Sequence, residues 1–166
     1  LPGQLEGCVA DDILGHLYIG EEENGIWKFD ADPNGSKEGI LIDTIGPHIA
    51  ADVEGLTLYY ASETDGYLIA SSQGDDTYTI YSRGDINNFI GRFSVVDSET
   101  IDGTSSTDGI DVCNMGLGGK LSDGIFIVQD DVNDVGNQNF KIISWGEIAS
   151  IFNPPLEINS GYDLRD

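Results

Sequence analysis

The chain has 166 residues, enough for one ordinary domain, and its apolar share of 39% is adequate for a core, so disorder is not the default. Seven basic against thirty acidic side chains give a formal charge of -23, which repels phosphate backbones and anionic membranes and argues against nucleic acid or membrane as partners. No apolar run is long enough for a signal segment or a membrane span, and the start at Leu1 without an initiator Met predicts a piece cut from a longer protein.

In chain order, short β-branched or aromatic runs alternate with Gly, Asp and Asn: GCVAD, HLYIGE, GIWKFD, GILIDT, LTLYYA, GYLIAS, TYTIYS, NFIGRFSVV, GIDVC, GIFIVQ and FKIISW. These predict strands, with turn signals at the spacing of an all-β protein. Only residues 144–152, SWGEIASIF, carry a helical pattern. Cys8 and Cys113 fall in apolar strand-like runs, which predicts buried free thiols rather than a disulfide. The stretch 30–35, DADPNG, imitates the start of an EF-hand loop, but Pro33 and a Leu at position 41 argue for a simple loop between strands. DDVNDVGNQN from Asp130 is either a surface hairpin or a metal loop.

The runs repeat. LEGCVADD, VEGLTLYY and TDGIDVCN each open on an acid followed by Gly, then pass through a glycine turn into a second strand and on to a third. The unit recurs roughly every fifty residues, the length of a four-stranded propeller blade. The first two units have a fourth strand, whereas the third runs directly into the helix. The prediction is therefore an all-β chain: three blades of a β-propeller, the last lacking one strand, and a short C-terminal helix. Three blades cannot close a ring, so the simplest assignment is the C-terminal half of a ring of about six.

Superposing the repeats puts Glu6, Glu54 and Asp108 at one position, the start of each first strand. If those strands are innermost, the three carboxylates converge at one mouth of the channel. Seven residues beyond the turn glycines Gly15, Gly66 and Gly124 stand Glu22, Gln73 and Asp131, a second ring of oxygen ligands, and Asp52 adds a further carboxylate. Like charges so close raise one another's pKa unless cations neutralise them. Calcium, with six to eight oxygen ligands, suits them better than zinc, because His16 and His48 stand alone and there is no His/Cys cluster.

On the stretches EGCVADDILGHLYIGEEENGIWKF, ADVEGLTLYY, GYLIASSQGDDTYTIYSRG, IDGTSSTDGIDV and GIFIVQDDVNDVGNQNFKI, the sequence resembles the β-propeller phytases, calcium-dependent secreted bacterial enzymes that remove phosphate from phytate. The resemblance covers the second half of the family's six-bladed domain, residues 1–152, with 153–166 left as a tail or linker. It implies several calcium ions, structural and catalytic, and a substrate of phytate or calcium-phytate. It also implies a secreted, extracellular or periplasmic location, and the remainder of the propeller, from a missing N-terminal half, as partner. Carried over residue by residue, it places active-site metal ligands at Glu6, Glu22, Asp52, Glu54 and Asp108, with Glu6, Glu22, Glu54 and Asp108 catalytic and Gln73 beside the substrate. It assigns a separate structural calcium to Asp102, with the Gly103 carbonyl and Asp130. Where relatives carry an acid this chain has Ser106, and the basic residues with which the family grips phosphate belong to its first half.

There is no GxSxG, no Cys beside a His and no acid-phosphatase histidine motif. The expected chemistry is therefore direct attack on a phosphomonoester by a calcium-bound water, with Glu22 as a proton carrier and no phosphoenzyme. A fragment with most of the phosphate grip missing is expected to be weakly stable and inactive alone. The competing expectations are a non-catalytic, calcium-stabilised propeller and another calcium propeller hydrolase such as a lactonase. Retention of all five inner acids favours an enzyme lineage over the first.

Overall fold

Eleven antiparallel strands form three radial sheets, seen in a computed structural model that describes residues 1–163. The first blade comprises β1 (Leu5–Asp11), β2 (His16–Glu21), β3 (Gly25–Asp30) and β4 (Ile40–Thr44). The second comprises β5 (Val53–Tyr60), β6 (Gly66–Ser72), β7 (Thr77–Ser82) and β8 (Phe89–Phe93). The third has three strands, β9 (Ile110–Cys113), β10 (Ile125–Asp130) and β11 (Asn139–Ser144), and then the helix α1 (Trp145–Ser150). Each sheet is an up-and-down meander, and the missing fourth strand of the third blade leaves one edge of β11 unpaired. Among the described residues no helix is long and apolar enough to cross a membrane.

Two apolar layers separate the three blades. Tyr18, Ile26, Val53, Leu56, Leu58, Leu68 and Tyr81 fill the first, and Tyr59, Ile69, Tyr78, Phe93, Phe126, Val128 and Trp145 the second. The middle blade is consequently buried on both faces, which is why VEGLTLYY is apolar almost throughout. In β11, by contrast, Phe140 and Ile142 are exposed while Lys141 is buried. Cys8 and Cys113 are free but exposed, not buried as their apolar surroundings suggested. Both lie on inner strands of the end blades. They alternate with Val9 and with Val112, which take the core-facing positions, and so fall on faces that no further blade covers.

The second and third blades are each tied to the one before by the residue that follows their third strand. Arg83 and Trp145 both donate their backbone N–H to the carbonyl of a turn glycine, Gly66 and Gly124, and reach back to the end of the preceding blade's inner strand. Arg83 meets Asp11 there, Nε to Oδ2 at 2.6 Å and Nη2 to Oδ1 at 2.9 Å, with both side chains fully buried. Its remaining nitrogen donates to the carbonyls of Ser62 and Asp65, and its guanidinium lies 4.4 Å from the centre of the Tyr60 ring. Trp145 instead stacks on Tyr59 with ring centres 4.2 Å apart. The stretch 153–163, most of the expected tail or linker, lies along this second layer. Leu156 is buried, the Asn159 N–H donates to the Tyr59 hydroxyl at 2.9 Å and the Glu157 N–H to that of Tyr67 at 2.8 Å. The rest of the expected tail, 164–166, lies outside the described residues.

Burial works against the charge of Asp11, but Arg83 and the N–H groups of Leu14 and Ile13 outweigh it, and the pKa is lowered. Stability from this pair is therefore full above the ordinary aspartate range and is lost as pH falls through the depressed value. Arg83→Met strands a buried carboxylate and is expected to cost about 3–5 kcal/mol, read as a lower urea midpoint. An unchanged midpoint contradicts the assignment of this pair as the lock between the first two blades.

Candidate metal centre

The acids are aimed by irregularities in their strands. The β1–β2 register jumps between the pairs Leu5↔Glu21 and Cys8↔Ile19, leaving Glu6 and Gly7 opposite Gly20 alone. The β5–β6 register jumps in the same way between Val53↔Ser72 and Leu56↔Ala70, at Glu54 and Gly55. A bulge of this kind re-aims a side chain, here toward the mouth. The following glycine then lets neighbouring inner strands touch. A Cβ on Gly7 would stand 2.3 Å from the Glu54 carbonyl oxygen, and one on Gly55 would stand 2.6 Å from that of Asp108. The Gly55 N–H also donates to the Asp108 carbonyl at 2.7 Å. The acid-Gly pairs of the repeat are thus one device: the glycine draws the strands together and the acid is carried to the shared opening.

Carboxylate oxygens of Glu6, Glu22 and Glu54 lie within 4.8 Å of one another. Glu6 and Glu54 also border a recess of about 300 Å³ that Cys8, Leu56, Asp108 and Ile110 complete. Asp52 and Asp108 stand close enough to act on Glu54 electrostatically. The Gln73 amide donates to Asp108 Oδ1 at 2.7 Å, and the Asp108 N–H donates to Gln129 Oε1 at 2.9 Å. Gln4 donates to Glu6 Oε1. None of the ion pairs among the described residues reaches Glu6, Glu22 or Glu54.

Glu54 is 8% exposed, and burial followed by repulsion from Glu6, Asp108, Glu22 and Asp52 raises its pKa to about 7. Lost hydration, then Asp52, Glu6 and Glu23, also raise that of Glu22. Three convergent carboxylates without a protein cation fit a hard, oxygen-preferring ion. His48, by contrast, is held by Asp43 at 3.0 Å and stacks on Phe89, belonging to the interface of the first two blades.

Asp102 and Asp130, expected to share a structural calcium with the Gly103 carbonyl, form a separate group. Lys141 on β11 places its ammonium on Asp102 Oδ1, 3.1 Å from Asp130 Oδ2 and 3.0 Å from Asn133 Oδ1. The Gly103 N–H donates to Asp97 at 2.8 Å. Lys141 lowers the pKa of Asp102. Burial opposes the Lys141 charge, but Asp102 and Asp130 outweigh it and its pKa is raised. The oxygens a cation would use here already hold an ammonium, so this arrangement does not fit a resident calcium unless Lys141 withdraws. Asp131 is likewise engaged, accepting the Gln138 amide.

Of the expected trio, Glu6 and Glu54 come together, but the third place is taken by Glu22 from the expected second ring, while Asp108 lines the recess with Gln73 hydrogen-bonded to it and Asp52 acts on Glu54. The repeat did not reveal Gln4 and Gln129, which hold Glu6 and Asp108, because neither recurs at a matching position. Lys141 was also missed, although a lone lysine in the apolar run FKIISW was a usable signal.

Carboxylates of neighbouring propeller blades are thus gathered at one opening without a protein cation among them. The chain belongs to the phytase family, whose sequence profile matches residues 1–166. It is 53% identical over 154 residues to the 3-phytase of Bacillus subtilis (strain 168), an alignment covering 90% of this chain and 40% of that protein. The chain thus spans well under half of that relative's length.

Because Glu54 is more basic folded than unfolded, the folded state binds more protons between the ordinary glutamate range and about pH 7. In chelator, stability should therefore fall as pH rises through that window. After allowance for solvent at the mouth, the Glu54 share is about 1–2 kcal/mol, or about 2–6 °C of melting temperature. Thermal melts in chelator at pH 5 and pH 8 should show this drop, and Glu54→Gln should remove it. An equal drop in the variant contradicts the assignment. Gly55→Ala should lower the melting temperature and calcium affinity together, because its methyl group collides with the Asp108 carbonyl.

Proposed function

We propose that this chain supplies the acidic mouth of a calcium-dependent phytase, which hydrolyses the phosphomonoesters of phytate and releases inorganic phosphate. The observation that carries the reading is the trio Glu6, Glu22 and Glu54, convergent and without a protein cation, in a chain of the phytase family. Glu6, Glu22 and Glu54 would hold the ion, with Asp52 and Asp108 adding negative charge at the rim. Calcium bound there neutralises phosphoryl oxygens, so that a strongly anionic substrate can approach a chain of charge -23.

The side chains of this chain take the remaining roles. Glu54, whose pKa is raised to about 7 in the absence of a cation, would be held ionised as one of the residues that hold the ion. Glu22, less buried than Glu54, would pass a proton between solvent and the leaving alkoxide through a carboxylate oxygen not engaged by the ion. Gln73 spends its amide N–H on Asp108, which leaves its carbonyl oxygen for a substrate hydroxyl. Attack is by water, since no Ser, Cys or His lies in a nucleophilic arrangement in the sequence.

Phosphate must also be gripped by cations. Lys28, Arg83, Arg92 and Lys141 are already engaged, on Asp85, Asp11, Asp75 and Asp102. The grip is assigned to the remainder of the propeller, as the family resemblance implies, and a secreted location fits an enzyme that meets both calcium and phytate. Phosphate release from phytate is the test. The longer protein should be active with calcium, silent in chelator and restored by calcium, and Glu54→Gln should lower kcat by on the order of a hundredfold. The 166-residue chain alone should release essentially none. Turnover that survives chelation overturns the reading.

A further inference from the structure

The three blades repeat one more contact. The last residue of each second strand is buried and accepts a backbone N–H from the segment leading into its own blade's inner strand. Glu21 Oε1 accepts from Gly3 at 2.6 Å, Ser72 Oγ from Ala50 at 2.8 Å and Asp130 Oδ1 from Ser105 at 3.1 Å. Glu21 and Ser72 are 0% exposed and Asp130 is 1% exposed. The next residue donates its own N–H back to a carbonyl of the same segment: Glu22 to Gln4 at 3.0 Å, Gln73 to Asp52 at 2.9 Å and Asp131 to Ser105 at 3.1 Å. Each lead-in segment is therefore held at two points just before it delivers Glu6, Glu54 or Asp108.

We propose that Glu21 is a positioning residue for the carboxylate trio, with Ser72 its counterpart in the second blade. The proposal rests on the reading of that trio as a cation site. Glu21 faces Leu5 in the β1–β2 register, so its backbone lies opposite the residue preceding Glu6. Its second oxygen accepts the Trp27 indole N–H at 2.7 Å, which fixes the carboxylate from behind. A Cβ on Gly3 would stand 2.6 Å from Glu21 Oε1, so a side chain there would displace the carboxylate from this contact. Residues 1–4 are otherwise exposed, and Gln4, next to the anchored Gly3, holds Glu6 by its side chain and the Glu22 N–H by its carbonyl. Loosening Gly3 therefore frees two of the three ligands at once.

The residue type follows from the donors. Two N–H groups point at Glu21, and a carboxylate accepts both, whereas a glutamine must turn its own NH₂ toward one of them. Ser72 performs the task with a hydroxyl, accepting from Ala50 while donating to Asp75 at 2.8 Å. It therefore allows the contact to be removed without changing any charge.

Calcium titration calorimetry on the purified protein tests this, the trio's binding event being the one that Glu54→Gln abolishes. Glu21→Gln and Ser72→Ala should each weaken that event by roughly tenfold. Glu38→Gln, which removes a charge at an exposed position away from the mouth, should leave it unchanged. Melting in chelator checks that each variant is folded. Folded Glu21→Gln and Ser72→Ala proteins that bind calcium as tightly as wild type overturn the positioning role and leave the cation site standing. A wild-type titration identical to that of Glu54→Gln overturns the cation site itself, and the positioning role with it.

Discussion

Backbone-to-backbone contact between neighbouring inner strands is the constraint on which the rest of this molecule depends. Gly7 against the Glu54 carbonyl and Gly55 against that of Asp108 leave no room for a side chain between β1, β5 and β9. Once those strands touch, the residues just before the glycines must share one opening, whatever their charge. The sequence places an acid there three times, so the close approach that builds the propeller wall also builds an electrostatic conflict. The raised pKa of Glu54 is its local expression. A cation of the kind proposed for the mouth would relieve that conflict without a change of fold, so the structural feature and the proposed functional one coincide.

The outer contacts keep the conflict from prising the blades apart. Arg83 on Asp11 locks the first two blades by a fully buried ion pair, and Trp145 on Tyr59 locks the next two by stacking. Both use the same position of the repeat with different chemistry. Between the second and third blades, the Tyr78 hydroxyl is hydrogen-bonded to Thr104 and Thr107 at 2.7 Å each, and the Ser71 hydroxyl donates to the Thr107 carbonyl at 2.8 Å. The stretch IDGTSSTDGIDV is thus a seam as well as an acidic turn: its threonines fasten it to the second blade and Asp108 continues past them to the mouth.

Much of this was legible in the sequence because repetition makes it so. Each strand and the missing twelfth follow from the spacing of apolar runs and turn glycines, and superposing three repeats singles out Glu6, Glu54 and Asp108 at the recess, though not that Glu22 rather than Asp108 completes the close trio. What could not be read are contacts formed by residues without a counterpart in the other repeats. The Arg83–Asp11 pair joins positions 72 residues apart, and nothing local distinguishes this aspartate from the neighbouring Asp12. Lys141 falls between Asp102 and Asp130 only because β11 presents it on the buried face of the sheet. The exposure of Cys8 and Cys113 was missed for a related reason. An apolar run predicts burial only where a neighbouring sheet covers it, and these two face the open sides of the end blades.

A crystal structure of the calcium-loaded protein, with anomalous differences recorded at long wavelength, tests the central claim most directly. The account predicts a calcium peak between the carboxylates of Glu6, Glu22 and Glu54, with Glu54 ionised and the inner strands still touching at Gly7 and Gly55. A mouth without calcium, its three carboxylates turned apart into solvent while the ion binds elsewhere, would contradict it.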